Sequence, residues 1–206
     1  MHCNPIETKS LLRLTSLLAR EWVKRENLLS WSLLGAQRER MELCGEVRCG
    51  YLVEGLSGMQ FALPEAVDIL RALRSDQQYD HEPLLINASD PTNPFGGPVR
   101  VQGITTQPAR LPANWIAFHR GNPILLIETS GARLTVVGEP PHTAPQHALR
   151  QFVELVRLPE SMASFKSVTV LQCNGTPAAA SSLAPLLRAL GFRRDANHTM
   201  RYDGYV

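Results

Sequence analysis

The chain has 206 residues, room for one large domain or two small ones, and its 44% apolar and 19% charged content is that of a globular protein rather than a disordered one. Twenty-one basic against nineteen acidic residues leave a net charge of only +2, which excludes a strongly basic nucleic-acid arm but not a local basic face. No apolar run approaches the 18 residues a membrane helix needs, and the opening MHCNPIETKS has no basic-then-apolar leader pattern. The expectation is therefore a cytoplasmic chain without membrane contact.

Residues 6–25 read as a first helix. Leu11, Leu14, Leu17, Leu18 and Trp22 recur three and four apart and form one stripe, with Arg13, Arg20, Lys24 and Arg25 on its flanks. Ser30 is placed to cap a second helix beginning at Trp31, with Leu33, Leu34 and Met41 on its apolar side and Gly45 to stop it. Two short strands, 47–53 and 59–63, enclose the turn sequence Glu54-Gly55-Leu56-Ser57-Gly58. Helix, helix and hairpin is the closing order of a winged helix. Pro64 then starts a further helix, with Glu65 suited to its first turn.

The polar stretch 75–83 looks like a linker. Beyond it come a short apolar run at 84–87 and a proline- and glycine-rich loop. Strand candidates follow at 115–120, 123–128 and 132–137, with Gly121-Asn122 and Ser130-Gly131 as turn signals. A meander or small barrel fits this spacing. A helix at 144–158 carries Leu149, Phe152, Val153 and Val156 on one face. A strand at 166–173, a helix at about 179–190 stopped by Gly191, and a returning strand or hairpin at 192–202 complete the chain. The overall expectation is an α+β protein: a winged-helix domain at 1–75, a linker at 76–83, and a β-barrel-like module with flanking helices at 84–206.

Charge is uneven along these parts. Residues 1–75 carry a net +1, residues 76–160 a net −2 and residues 161–206 a net +3. Several chemistries lack their residues. There is no G-x-x-x-x-G-K-[ST] loop and no Gly-Lys dipeptide, so P-loop ATP chemistry has no support. Gly55-Leu56-Ser57-Gly58 imitates a nucleophile elbow, but Met59 stands where the last glycine belongs, and Ser57 reads as a turn former. His142 and His147 are five apart with Pro145 between them, a poor spacing for a shared metal. Cys3, Cys44, Cys49 and Cys173 contain no C-x-x-C pair. Neither a metal nor another cofactor is expected.

The segment from Trp31 to Ala66 is the most specific in the chain. Trp31, Arg38, Glu42, Gly45-Glu46, Arg48 and the run Gly58-Met59-Gln60-Phe61-Ala62-Leu63-Pro64-Glu65-Ala66 resemble the C-terminal region of the large helicase-related (Lhr) DNA helicases. Ser89-Asp90-Pro91 with Asn93, the hairpin from Trp115 to Ile127, and Leu190-Gly191-Phe192 extend the resemblance more loosely. Two departures fall in the wing. Cys49-Gly50-Tyr51-Leu52 stands where the family usually has Gly-Gly-Arg-Phe, and Met59 where it has Glu.

The resemblance implies the last winged helix plus the terminal β-barrel of such a protein, without its motor domains. It implies DNA as a partner, a helicase motor as a possible second one, and a setting in DNA repair. A homo-oligomer is a further expectation, and an oligomerisation or docking module the non-catalytic alternative. DNA-facing candidates are Arg38 and Arg40 on the second helix, Arg48 in the wing, and the cluster Arg193, Arg194 and Arg201. The family is also similar to DNA glycosylases, and uracil-DNA glycosylase activity has been assigned to its C-terminal part, with a near-terminal aspartate in the catalytic role. Asp203, Asp195 and Asp90 are the candidates for it here, since a carboxylate stabilises the positive sugar left by a departing base.

Overall fold

The computed structural model describes residues 12–13, 16–26, 31–32, 34–75, 82–90, 92–97, 99–101, 104–105, 107–139, 143–157 and 167–204. Cys3, Leu11, Leu14, Ser30, Leu33, His142 and the linker positions 76–81 lie outside them. The chain divides into two compact units, one of residues 1–79 with 97–100, the other of 80–96 with 101–206.

The first unit holds β1 (Leu17–Leu18), α1 (Arg20–Glu26), α2 (Gly35–Leu43), β2 (Arg48–Gly50), β3 (Gln60–Ala62) and α3 (Pro64–Ser75). The single helix expected over 6–25 is broken. Ser16 adopts a left-handed φ of 58°, and the next two residues pair with the wing strand, Leu17 with Ala62 and Leu18 with Phe61. The reason is burial. Leu18 packs with Val23, Leu34, Met41, Val47 and Phe61, whereas Leu17 packs with Ala19, Leu56, Ala62 and Val67. Adjacent leucines reach two different clusters only in a strand, where successive side chains point to opposite faces. The sheet order is β1-β3-β2, so β3 is the central strand and alternates the same way, with Phe61 in one cluster and Ala62 in the other.

The second helix begins later than its sequence suggests, at Gly35, and ends as expected where Gly45 takes a φ of 72°. Leu34 and Met41 are its buried apolar positions.

The second unit is built on an open six-stranded sheet in the order β10-β9-β7-β6-β5-β4. Its strands are β4 (Leu84–Asn87), β5 (Trp115–His119), β6 (Asn122–Glu128), β7 (Arg133–Val136), β9 (Gln172–Cys173) and β10 (Thr176–Pro177). Strands β4 to β7 form the expected meander, but β4 and β10 remain unpaired edges, so no closed barrel forms among the described residues. The first tight turn centres on Arg120-Gly121, at φ of 51° and 76°, one residue earlier than the sequence signal; two successive positive φ values match the strand twist. Helix α4 (Thr143–Arg157) lays Leu149, Phe152, Val153 and Val156 into the core with Ile127, Leu134, Val168 and Met200. A second sheet joins β8 (Ser167–Val170), β11 (Arg193–Arg194) and β12 (Met200–Asp203) in the order β11-β12-β8, and α5 (Ala184–Ala189) lies between β8 and β11 in the chain.

Candidate nucleic-acid interface

Sheet β11-β12-β8 has two unlike faces. Val168, Val170, Met200 and Tyr202 are buried, so the residues alternating with them face outward. Ladder register places Arg193 opposite Arg201, Arg201 opposite Thr169, and Asp203 opposite Ser167. Arg193, Arg194, Arg201, Asp203 and Ser167 are exposed and Thr169 half-buried. Two arginines directly across a ladder repel each other, a cost that an anion lying over the face removes. Asp203 offsets part of it, with its Oδ1 accepting a hydrogen bond from Arg201 Nε at 2.9 Å. That bond and the attraction of Asp203, helped by Asp195, raise the Arg201 guanidinium above its ordinary pKa. Arg194 Nη2 donates to His198 Nδ1 at 3.1 Å, an arrangement that needs this ring nitrogen unprotonated.

The three candidate aspartates are not assembled into one centre. Asp203 pairs with Arg201 and is 59% exposed on its side chain. Asp195 accepts from the amide of Ala196 at 2.8 Å and caps the turn Ala196–His198 between β11 and β12. Asp90 lies in the loop after β4, where its Oδ1 accepts from the Thr92 amide (2.8 Å) and hydroxyl (2.6 Å). The Thr92 hydroxyl, then its amide, hold the Asp90 carboxyl below its usual pKa. Arg110 secures the same loop, donating to the carbonyls of Asn93 (2.7 Å) and Asp90 (2.9 Å). Each carboxylate therefore serves a local structural bond.

In the winged-helix unit, Arg38 stands apart from the other basic candidates. Its guanidinium carbon lies 3.9 Å from the Trp31 ring centroid and 4.9 Å from that of Phe61, and its Nε donates to the Leu34 carbonyl at 3.2 Å. Burial lowers its pKa, partly offset by Glu39. Arg38 thus clamps the start of α2 to the wing strand. Arg40, in the last turn of α2, and Arg48, on β2, are exposed.

The wing itself is stapled by residues whose roles the sequence did not announce. Gln60 is fully buried; its Oε1 accepts from the amides of Leu52 (3.1 Å) and Val53 (2.8 Å), and its Nε2 donates to the Val53 carbonyl (3.0 Å). Glu21 Oε1 on α1 accepts from both the amide (2.9 Å) and the hydroxyl of Ser57. Burial pushes the Glu21 carboxyl up, but the Ser57 hydroxyl and backbone amides outweigh it, so the net shift is downward. Beside the wing runs an open groove of about 570 Å³ lined by Arg48, Cys49, Leu52, Pro64 and Arg71, with Glu42 hydrogen-bonded to the Cys49 thiol. Among the described residues no group of three or more His, Cys, Asp or Glu side chains is arranged to hold a metal, and no helix is long and apolar enough to cross a membrane.

Comparison with known proteins bears on this geometry. Residues 6–82 match the family model of the winged-helix domain of the large helicase-related protein. Over 74% of its length the chain is 26% identical to the Lhr helicase/uracil glycosylase of Escherichia coli (strain K12), covering 10% of that protein. Over 57% it is 28% identical to the Lhr helicase/probable uracil glycosylase of Mycolicibacterium smegmatis, covering 8% of it. The matched region is thus a tenth or less of these relatives.

Proposed function

Since the chain shares its winged helix with the Lhr-type helicases and is similar to their C-terminal region, we propose that it is a DNA-binding accessory region acting with an Lhr-type helicase motor in DNA repair. The observation that carries this reading is the outward face of β11-β12-β8, where Arg193 opposes Arg201, with the exposed Arg194 next in sequence and in register with Met200. Arg40 and Arg48 supply phosphate contacts from the winged helix. Arg38 has a positioning role, holding α2 against the wing.

Phosphate contacts release counterions, so affinity falls with salt by about 0.9 log unit per log unit for each contact in duplex DNA. Replacing Arg193, Arg194 and Arg201 together by Ala removes about three such contacts and flattens the slope by about 2 to 3. Binding to all duplex sequences weakens alike, because phosphates carry no sequence information. An unchanged slope in the triple variant, measured by fluorescence anisotropy, overturns this face as the interface.

A second reading, uracil excision, is favoured by the similarity to two relatives described as a uracil glycosylase and a probable uracil glycosylase. In it Asp203 is the working carboxylate and must leave Arg201 to face the sugar. Asp195 and Asp90, fixed to backbone amides, follow it in order. Strand scission at a single uracil after alkali tests this. Loss of product in Asp203→Asn with DNA binding retained supports it, and no product from the unmodified chain rejects it.

A further inference from the structure

The wing presents an apolar pair that the core does not use. Tyr51 is 81% exposed and Met59 50% exposed. They lie one residue beyond the last ladder pair of the wing, Gly50 with Gln60, one on each strand. Exposed single apolar residues need no explanation, but these two occupy corresponding positions on a hairpin whose backbone is fixed from both sides. Gln60 binds the segment just after Tyr51, through the amides of Leu52 and Val53 and the Val53 carbonyl. Glu21 ties down Ser57, just before Gly58-Met59. A tyrosine on such a backbone loses little freedom on binding, since only its two side-chain torsions remain to be ordered.

We propose that Tyr51, with Met59 beside it, is a stacking platform for an unpaired DNA base, and that Arg48 and Arg71 take the neighbouring phosphates. The occupant follows from the chemistry around the pair. The groove flanking the wing is lined by Cys49 and Leu52, on either side of Gly50-Tyr51, and by the two arginines against one carboxylate, Glu42, which is hydrogen-bonded to the Cys49 thiol. An exposed aromatic side chain in the segment that borders a groove with two guanidinium groups suits a nucleotide, which offers a π-face and a phosphate within one repeat. Two side chains fall far short of the roughly 800 Å² per partner of a standard protein interface. An unpaired base is required because a paired one keeps its faces inside the duplex stack. The inference rests on the DNA-binding reading above and adds single-stranded ends or junctions as the preferred structure.

The test uses the purified chain and a DNA duplex with a single-stranded overhang. 2-Aminopurine is placed at the first, second or third unpaired position in three separate oligonucleotides, and affinity and emission are recorded together. Stacking on Tyr51 quenches one of the three probes. Tyr51→Ala is expected to weaken overhang binding about five- to a hundredfold, the span of one base–aromatic stack, and to abolish the quench. Tyr51→Phe keeps the aromatic face and retains both. Blunt duplex affinity changes less than about twofold in either variant. Quench and affinity surviving in Tyr51→Ala, or no quench from the unmodified chain while it binds blunt duplex, overturns the platform and leaves the DNA-binding reading standing. Failure of the unmodified chain to bind either DNA overturns both.

Discussion

The wing depends on one amide side chain. Gln60 is fully buried and exchanges three hydrogen bonds with Leu52 and Val53. Each bond contributes about 0.5–1.5 kcal/mol net, and stranding a buried partner costs more. Leu52 and Val53 are only half-buried, so water recovers part of the loss in a truncated variant. Gln60→Ala should therefore destabilise the winged-helix unit by about 2–3 kcal/mol. Gln60→Leu keeps the volume but not the bonds and should lose nearly as much. Trp22 and Trp31 lie in this unit and Trp115 in the other, so tryptophan emission in a Trp115→Phe background reports on the wing unit alone. With a urea slope of about 1 kcal/mol/M for so small a unit, the midpoint should fall by about 2–3 M. Met59→Ala, one residue away and exposed, should stay within about 0.5 M of the parent. A fall of less than about 0.5 M for both Gln60 variants would refute the staple.

Arg38→Lys should cost about 1–2 kcal/mol in the same urea experiment, because an ammonium cannot lie flat on Trp31 and Phe61 while bonding the Leu34 carbonyl. Gly131→Ala should destabilise the second unit by about 2–4 kcal/mol on thermal or urea unfolding. A Cβ there would sit 2.6 Å from Val168 Cγ1 at a φ of 94°, combining overpacking with backbone strain. Acidification should loosen the wing through Glu21. Its carboxyl is lowered in the folded chain, so its contribution is complete above the ordinary glutamate pKa of about 4.3 and is lost as pH falls through the lower folded value. Glu21→Gln should remove that part of the pH dependence, read from urea midpoints between pH 7 and pH 3.

Much of this arrangement is legible in the sequence, and the exceptions share a cause. The turn at Gly45, the helix from Pro64, the strand at Leu84–Asn87 and the buried stripe of the long helix follow from local signals: a stop residue, a proline at a first turn, an apolar run, a 3.6-residue period. The first helix is misread because Leu17 and Leu18 satisfy a helical stripe and a central-sheet pairing equally well. The choice is made by Phe61 and Ala62, more than forty residues away. That the sheet of the barrel-like module stays open has a similar reason. Strand spacing reports the meander, but β9 joins through a parallel pairing to β7 that no local pattern encodes. Asp90, before a proline, reads as a turn former, and its bonds run to Thr92; Asp195 caps its own turn through the next amide, which its place beside arginines does not announce. The Gln60 staple crosses the wing hairpin and the Glu21–Ser57 tie spans 36 residues, and only the structure reveals them.

The pair formed by Arg201 and Asp203 bears on both proposed activities at once. If it were tight, it would disarm the sheet face, since a guanidinium held by a carboxylate offers phosphate less charge, and it would disarm the carboxylate as well. The geometry argues against such a lock. Both side chains are about half exposed, and an exposed ion pair contributes little, with a median of about 0–1 kcal/mol. A phosphate arriving over Arg193 and Arg201 meets two cations that repel each other and one carboxylate that leaves at small cost. The released Asp203 then stands at the edge of a face occupied by the DNA backbone, on the strand that carries Arg201 and across from Ser167. Phosphate binding thus comes first in either reading, and any excision chemistry at Asp203 is conditional on it. Arg201→Ala should accordingly weaken DNA binding and, where excision is present, lower it through binding, whereas Asp203→Asn should spare or strengthen binding by removing the competing charge.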